Sequence, residues 1–192
     1  MAEKNNRHRQ YETITGWLFI VLLTIATAVK FLNGSLAKGT MGMMTIVLLA
    51  GILLYQSRSP RPFPVAFTII IYSFTYIAVG LGTLGGFYAI HHFDDVLHFL
   101  SGVWIGYGSL ILLQILAGED MAARLPKGFV TLYMISFALA AAGLWELFEF
   151  AGDKWFHMTA QGRNHDDTMF DMINGLTGGT VAALIYWRKQ RS

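Results

Sequence analysis

The sequence contains no cysteine, so disulfide bonds, thiolate metal sites and cysteine nucleophiles are all excluded. Charged residues are scarce: Asp, Glu, Lys and Arg make up 14% of the 192 residues, against about 25% in ordinary soluble domains. Hydrophobic residues reach 54% and occur in long uninterrupted runs, which a soluble core of this size could not absorb. The composition therefore predicts an all-α, polytopic integral membrane protein.

The chain also has a small net charge and only four prolines. The formal net charge is only +2, and the few cations lie near the ends of apolar runs, so a nucleic-acid partner has no support. Three of the four prolines precede the third apolar run, and Pro126 precedes the fifth, where prolines suit a turn and a helix start. We expect one domain over residues 1–192 with about six transmembrane helices, at about 16–32, 41–56, 65–84, 95–116, 129–150 and 171–187.

The distribution of Lys and Arg predicts the orientation of these spans. With six spans both termini lie on one side of the membrane, and that side carries ten of the fourteen cations. Because Lys and Arg are enriched in cytoplasmic loops, we expect both termini in the cytoplasm. The connections after the third and fifth spans then face the extracytoplasmic side.

Acidic residues gather at that outward-facing end of the spans. Eight of the twelve Asp and Glu residues fall there, namely Asp94, Asp95, Glu146, Glu149, Asp153, Asp166, Asp167 and Asp171. Five of the six histidines fall there too, in three separate segments of the chain. Ionisable groups within or beside membrane helices are costly, so their convergence at one depth indicates a functional polar site.

The first candidate constellation lies at the start of the fourth span. Asp94 and Asp95 stand four and three residues before His98, so each can share a helix face with it. A carboxylate and an imidazole on one face bind a metal together or form a proton-relay pair. The alternative is that an Asp only orients the His98 ring.

The second constellation is the pair Glu146 and Glu149 at the end of the fifth span. The two carboxylates are three residues apart and share one face. Like charges this close need a cation, a metal or a shared proton between them. Trp145 is expected to anchor the membrane interface or to pack against the site.

The third constellation follows a polar loop predicted over residues 153–167. Asp167 and Asp171 are four residues apart, and Asn174 lies three residues beyond Asp171. Asp166 or Asp167 is expected to cap the N-terminus of the sixth span. Capping does not explain Asp171 and Asn174, which lie further inside the helix. Pairs of small residues four apart, at Gly102/Gly106, Gly175/Gly179 and Ala138/Ala142, predict close helix packing nearby.

Together these segments predict a metal site built from oxygen and nitrogen ligands. The expected ligands are Asp95, His98, Glu146, Glu149, Asp167 and Asp171. Further polar contributors are Asp94, Asp153, Arg163 and Asn174. Such a set suits a divalent Zn, Mn, Fe or Mg ion, and helical carboxylates with a nearby His are also how di-metal bundle sites are built.

Several of these motifs resemble a known family. The patterns are Asp95-x-x-His98-Phe99-x-x-Gly102, Trp145-Glu146-x-x-Glu149 and Asp167-Thr168-x-x-Asp171-Met172. They resemble the YjdF-like family of small, uncharacterised bacterial inner-membrane proteins, and more remotely the VanZ-like membrane proteins. The resemblance implies a helical protein of the bacterial inner membrane, and its VanZ-like part implies a role near envelope lipids or lipid-linked precursors.

These observations leave three candidate functions. The first is a membrane-embedded, metal-dependent hydrolase acting on envelope lipids or lipid-linked precursors, with His98, Glu146 and Glu149 as catalytic residues. The second is a non-catalytic accessory or lipid-binding envelope protein. The third is a cation or proton transporter, which is disfavoured because the cytoplasmic halves of the spans are almost purely apolar. Membrane lipids are the expected partners, and the oligomeric state stays open.

Overall fold

The described part of the chain is helical throughout. The computed structural model describes residues 2–156 and 165–190, with side chains over residues 9–155 and 166–190. Within these ranges there is no β-strand. The α-helices are α1 (Ala2–Leu32), α2 (Leu36–Arg58), α3 (Val65–Thr75), α4 (Phe93–Ala117), α5 (Glu119–Arg124), α6 (Lys127–Phe156) and α7 (His165–Lys189). The predicted all-α fold class is confirmed.

Five of the six predicted spans have helices long and apolar enough to cross a membrane. They are Arg9–Leu32, Leu36–Arg58, Val65–Leu84, Phe93–Ala117 and Lys127–Trp155, among the residues that the structure describes. The third of these joins α3 to a π-helical segment, Tyr76–Leu84. The sixth predicted span corresponds to α7, which has 25 residues but begins with Asp166 and Asp167 in its first turn. Its crossing of the membrane stays a prediction.

The helices that flank the predicted polar loop are longer than expected. The loop was predicted over residues 153–167, but α6 continues to Phe156 and α7 already begins at His165. The physical reason is that Asp153, Lys154 and Asp166 suit exposed helical turns as well as loops, so polarity alone misplaces the boundary. Residues 157–164, including the predicted polar contributor Arg163, lie outside the described residues.

The chain divides into two compact units, Met1–Ile90 and His91–Ser192. The predicted single domain stays a prediction. In the first unit, α1, α2, α3 and the π-helical segment pack around a core that includes Leu23, Leu49 and Tyr72. The Tyr72 ring lies against Gly16, where a Cβ atom would stand 3.0 Å from the ring.

A buried polar network joins the three helices of the first unit. The Gln56 amide nitrogen donates to Glu12 Oε1 at 2.7 Å and lies 2.9 Å from Thr68 Oγ1. The Gln56 oxygen accepts the Phe63 backbone N–H at 2.8 Å. Glu12 and Gln56 are 4% and 5% exposed, so water does not satisfy their polar groups. The Gln56 amide instead supplies hydrogen-bond partners to the Glu12 carboxylate and to the backbone between α2 and α3.

The second unit is built on a close crossing of α4 and α7, with α6 packed against both. A Cβ atom on Gly178 would collide with the Phe99 carbonyl oxygen, and one on Gly102 would collide with the Gly175 carbonyl oxygen. Only glycine allows two helix backbones to approach this closely. The predicted small-residue pairs therefore do pack two helices together.

These glycine contacts also fix the directions of the helices. Gly102 of α4 faces Gly175 of α7, and Gly106 one turn later faces Gly179 and Ala182. Residue numbers rise together along the contact, so α4 and α7 are parallel. A Cβ atom on Gly175 would stand 2.8 Å from Ala142, whereas Gly179 faces the earlier residue Ala138, so α6 runs antiparallel to both.

Candidate metal site

The parallel and antiparallel directions bring three chain segments to one end of the second unit. This end holds the first turns of α4 and α7 and the last turns of α6. Asp94 and His98 come from α4, Glu146 and Glu149 from α6, and Asp167 and Asp171 from α7. The sequence spacings predict that each pair shares a helix face, and the packing of α4, α6 and α7 brings these residues to the same end of the bundle.

His98 stands at the centre of this group. Its Nε2 atom lies 3.6 Å from Asp94 Oδ1, 3.9 Å from Glu146 Oε1 and 3.9 Å from Asp171 Oδ1. The His98 residue is 6% exposed, and Glu146 and Asp171 are each 4% exposed. These separations are longer than direct hydrogen bonds and leave space for an atom bound between the groups.

Three of these side chains form a set with the spacing of metal ligands. One ligand atom from each of Asp94, His98 and Asp171 lies within 4.8 Å of the other two. The set therefore offers two carboxylates and one imidazole from two helices that are locked together by the glycine crossing. Oxygen and nitrogen ligands in this mixture suit a divalent Zn, Mn, Fe or Mg ion.

Glu146 borders this set from α6. Among the described residues, its Oε1 atom is buried without a hydrogen-bond partner. The Thr168 side chain of α7 also interacts with this carboxylate. A buried carboxylate oxygen without a partner is unfavourable unless the group is protonated or a further group binds it.

Two more carboxylates surround the set on the more open side. Glu149 and Asp167 are both half-buried. Glu149 Oε1 accepts a hydrogen bond from Trp145 Nε1 at 2.9 Å, so Trp145 contacts a carboxylate of the candidate site. Glu149 interacts electrostatically with Glu146, Asp94 and Asp171, and Asp167 interacts with Asp94 and Glu146.

Asp95 has a different set of neighbours from its sequence neighbour Asp94. Its Oδ1 accepts a hydrogen bond from Asn174 Nδ2 at 2.9 Å, and its Oδ2 lies 2.6 Å from His92 Nδ1. His92 adopts a left-handed backbone conformation, φ 60°, immediately before α4. Asp95 therefore ties α4 to α7 through Oδ1 and contacts the residue before α4 through Oδ2, and its predicted role as a metal ligand stays a prediction.

The remaining predicted site residues are less central. Asn174 reaches Asp95, as described above, and Asp153 is half-buried near the end of α6. Sequence reasoning missed Thr168, whose position three residues before Asp171 is the signal that would have placed it on the same face. The sequence also suggested Asp94 only as a further contributor, whereas in the structure Asp94 belongs to the ligand set with His98 and Asp171.

Comparison with models of known protein families identifies the family of this chain. A family model described as "Predicted membrane protein (DUF2238)" matches residues 14–192. This match covers both units of the chain, and YjdF-like proteins are the known grouping of that family. No curated protein and no solved structure matches. The resemblance to an uncharacterised membrane protein family is thus confirmed, and the VanZ-like relationship is not shown.

Proposed function

The chain belongs to the DUF2238 family of predicted membrane proteins, and we propose that it binds a divalent metal ion through Asp94, His98 and Asp171 and hydrolyses a lipid or lipid-linked substrate there. The observation that carries the proposal is the spacing of the three ligands, within 4.8 Å of one another. Exposed acids cluster commonly without an ion, but His98 and Asp171 are buried. Burial of this kind needs compensation by a cation or protons.

The ligand set restricts the class of ion. As metal ligands, two carboxylates and an imidazole are chemically harder than thiolates and softer than a set made only of oxygen atoms. Zn, Mn and Fe(II) fit this mixture, whereas Mg binds imidazole less readily. Three protein ligands also leave coordination positions for water and substrate, as catalytic sites require.

The proposed chemistry is metal-assisted hydrolysis. A divalent ion in this position would supply Lewis-acid activation of water and substrate. Glu146 is the best-placed proton acceptor, because its Oε1 lies 3.9 Å from His98 Nε2 and, within the described residues, has no hydrogen-bond partner. Asp94, whose side chain is 39% exposed, marks the side from which a substrate would enter.

The proposed location is the extracytoplasmic face of the bacterial cytoplasmic membrane. Ten of the fourteen Lys and Arg residues favour a cytoplasmic location for both termini, which leaves the site on the opposite face. A site at the ends of apolar helices lies at the depth of lipid headgroups. This depth supports envelope lipids or lipid-linked precursors as the substrate class.

Metal analysis of the purified protein tests the first half of the proposal. We expect wild type to retain a divalent ion after dialysis against metal-free buffer, and His98→Ala to lose it while remaining monodisperse. Asp166→Asn, which changes an exposed acid on the same helix, serves as the matched control and should keep the ion. A wild-type protein without stoichiometric metal would overturn the proposal.

Turnover tests the second half. The metal-loaded protein should hydrolyse a lipid-linked phosphate or ester, and Glu146→Gln should keep the ion but lose about 10²-fold or more in rate. A protein that binds the ion and shows no hydrolysis of any envelope lipid would instead be a metal-stabilised accessory protein.

A further inference from the structure

Two adjacent carboxylates at the start of α4 are equally exposed and have different partners. The side chains of Asp94 and Asp95 are each 39% exposed. Asp94 Oδ1 lies 3.6 Å from His98 Nε2, whereas Asp95 Oδ1 accepts a hydrogen bond from Asn174 Nδ2 at 2.9 Å. Because residues four and three positions before His98 can both share its helix face, periodicity does not determine which carboxylate approaches the ring.

The bond between Asn174 and Asp95 is a directional link between two helices. It lies beside the close crossing of α4 and α7, since the next residue, Gly175, has its carbonyl oxygen against Gly102. Close backbone packing sets the separation of the two helices, whereas a hydrogen bond is most stable in one orientation. The bond to Asn174 therefore favours one rotation of the first turn of α4 relative to α7.

The other oxygen of Asp95 holds the beginning of α4. Asp95 Oδ2 lies 2.6 Å from Nδ1 of His92, the residue immediately before the helix. The His92 backbone has φ 60°, a left-handed conformation that is uncommon for residues other than glycine. Asp95 thus contacts both the neighbouring helix and the turn that starts its own helix, and the two contacts together restrict the orientation of Asp94.

We propose that Asn174 is a positioning residue: by holding Asp95, it leaves Asp94 as the carboxylate that binds the ion. The inference rests on the proposed function, which assigns that ion to Asp94, His98 and Asp171. Asn174 and Asp171 are three residues apart on α7, so one face of that helix supplies both a ligand and the group that orients a second ligand. Residues that orient metal ligands from behind typically contribute about 10- to 100-fold in metal affinity.

The chemistry of an amide suits this position. Asn174 Nδ2 donates to a carboxylate and brings no charge into a region rich in acids. An amide in place of Asp95 could make the same two contacts, because its oxygen can accept from His92 and its nitrogen can donate to a carboxylate in place of Asn174. Exchanging the two residues therefore preserves both the bond between the helices and the net charge.

The Zn²⁺ affinity of the full-length protein in detergent, measured by competition with a chelator, tests the inference. Asn174→Leu removes the amide at similar volume and should weaken Zn²⁺ binding about 10- to 100-fold. The exchange variant Asp95→Asn/Asn174→Asp should bind Zn²⁺ with nearly wild-type affinity. Thr177→Ala is the matched control, because its exposed hydroxyl donates to the Ile173 carbonyl oxygen of its own helix, and it should leave the affinity unchanged.

The visible spectrum of bound Co²⁺ separates positioning from a purely structural role. A displaced Asp94 changes the geometry around the ion, so the Co²⁺ absorption bands should shift in Asn174→Leu and return to their wild-type positions in the exchange variant. A purely structural bond would lower the unfolding temperature in chelator without moving the Zn²⁺ affinity or the Co²⁺ spectrum. That outcome would overturn the positioning role.

The outcomes also separate this inference from the proposed function. Wild-type Zn²⁺ binding that is unchanged in Asn174→Leu would overturn the role of Asn174 and leave the proposed function standing. An exchange variant as weak as Asn174→Leu would overturn the role of the hydrogen bond. No bound Zn²⁺ in wild type would overturn both proposals. If Asn174→Leu does not elute as wild type in size-exclusion chromatography, Asn174→Ala takes its place, with the same expected loss.

Discussion

Two buried glutamates, one in each unit, are equally inaccessible and have opposite surroundings. Glu12 and Glu146 are both 4% exposed. Glu12 Oε1 accepts a hydrogen bond from the Gln56 amide at 2.7 Å. Glu146 Oε1, in the part of the chain that the structure describes, accepts none and lies 3.9 Å from His98 Nε2. Burial alone therefore does not identify a functional acid; the state of its hydrogen bonds does.

The difference separates a structural network from a binding site. In the first unit the described buried groups without a partner are the neutral hydroxyls of Thr27 and Tyr72, which cost less to leave unpaired than a carboxylate. Among the described residues of the second unit, Glu146 contributes a carboxylate oxygen without a hydrogen-bond partner, near four other acids. Protein atoms alone satisfy the first arrangement, whereas the second requires protons or, as we propose, a bound cation.

Substitution of Gly178 should have the largest effect and should act on the second unit alone. A Cβ atom there would collide with the Phe99 carbonyl oxygen, so Gly178→Ala must separate α4 from α7. We expect a loss of about 3 kcal/mol or more in the free energy of unfolding, together with loss of metal binding. Gly143→Ala is the control, because its Cβ would meet only Met172 at 3.5 Å. Normal metal binding by Gly178→Ala would show that the site does not depend on this crossing.

Metal should stabilise the protein through the second unit only. At a free metal concentration of 100 times Kd we expect about 2.7 kcal/mol of added stability, measured as an upward shift in thermal unfolding. Asp171→Asn should abolish the shift, and Glu12→Gln should leave it intact because Glu12 belongs to the other network. A shift that disappears in Glu12→Gln would mean that the first unit also binds metal.

Removal of the Gln56 amide should destabilise the first unit. Gln56→Ala leaves Glu12 and the Phe63 N–H without their partner, at a cost of about 1–3 kcal/mol for each group left unsatisfied. Metal stoichiometry should not change. Ser57→Ala, at the exposed neighbouring position, should have little effect on unfolding. Equal stability of the two variants would contradict the assignment of Gln56 as the structural partner of Glu12.

The smallest effect should be the most discriminating, because the two glutamates should respond with opposite signs. In metal-free protein Glu146→Gln removes one charge from a group of repelling carboxylates and should raise stability. Glu12→Gln replaces a charge-assisted hydrogen bond by a neutral one and should lower stability by about 1 kcal/mol. Denaturant unfolding of both variants in chelator measures the two signs. A loss of stability in both would indicate that Glu146 is also structurally satisfied.

Much of this contrast can be predicted from sequence, but not its details. The i,i+3 and i,i+4 spacings identify His98, Glu146 and Asp171, because helix periodicity fixes which residues share a face. The choice between Asp94 and Asp95 is not readable, since both spacings allow contact with His98. It depends on the position of Asn174 on α7, which bonds Asp95. The sequence does not reveal the role of Gln56, because a single polar residue at the end of an apolar run is typical of an ordinary helix end.

We propose above that a divalent ion binds at His98 and the carboxylates around it. X-ray absorption spectroscopy of the Zn²⁺-loaded protein tests this directly, because imidazole ligands give distinctive outer-shell scattering. We expect a first shell of oxygen and nitrogen with one imidazole, and loss of that imidazole signal in His98→Ala. A wild-type spectrum without imidazole scattering, or one that is unchanged in His98→Ala, would contradict it.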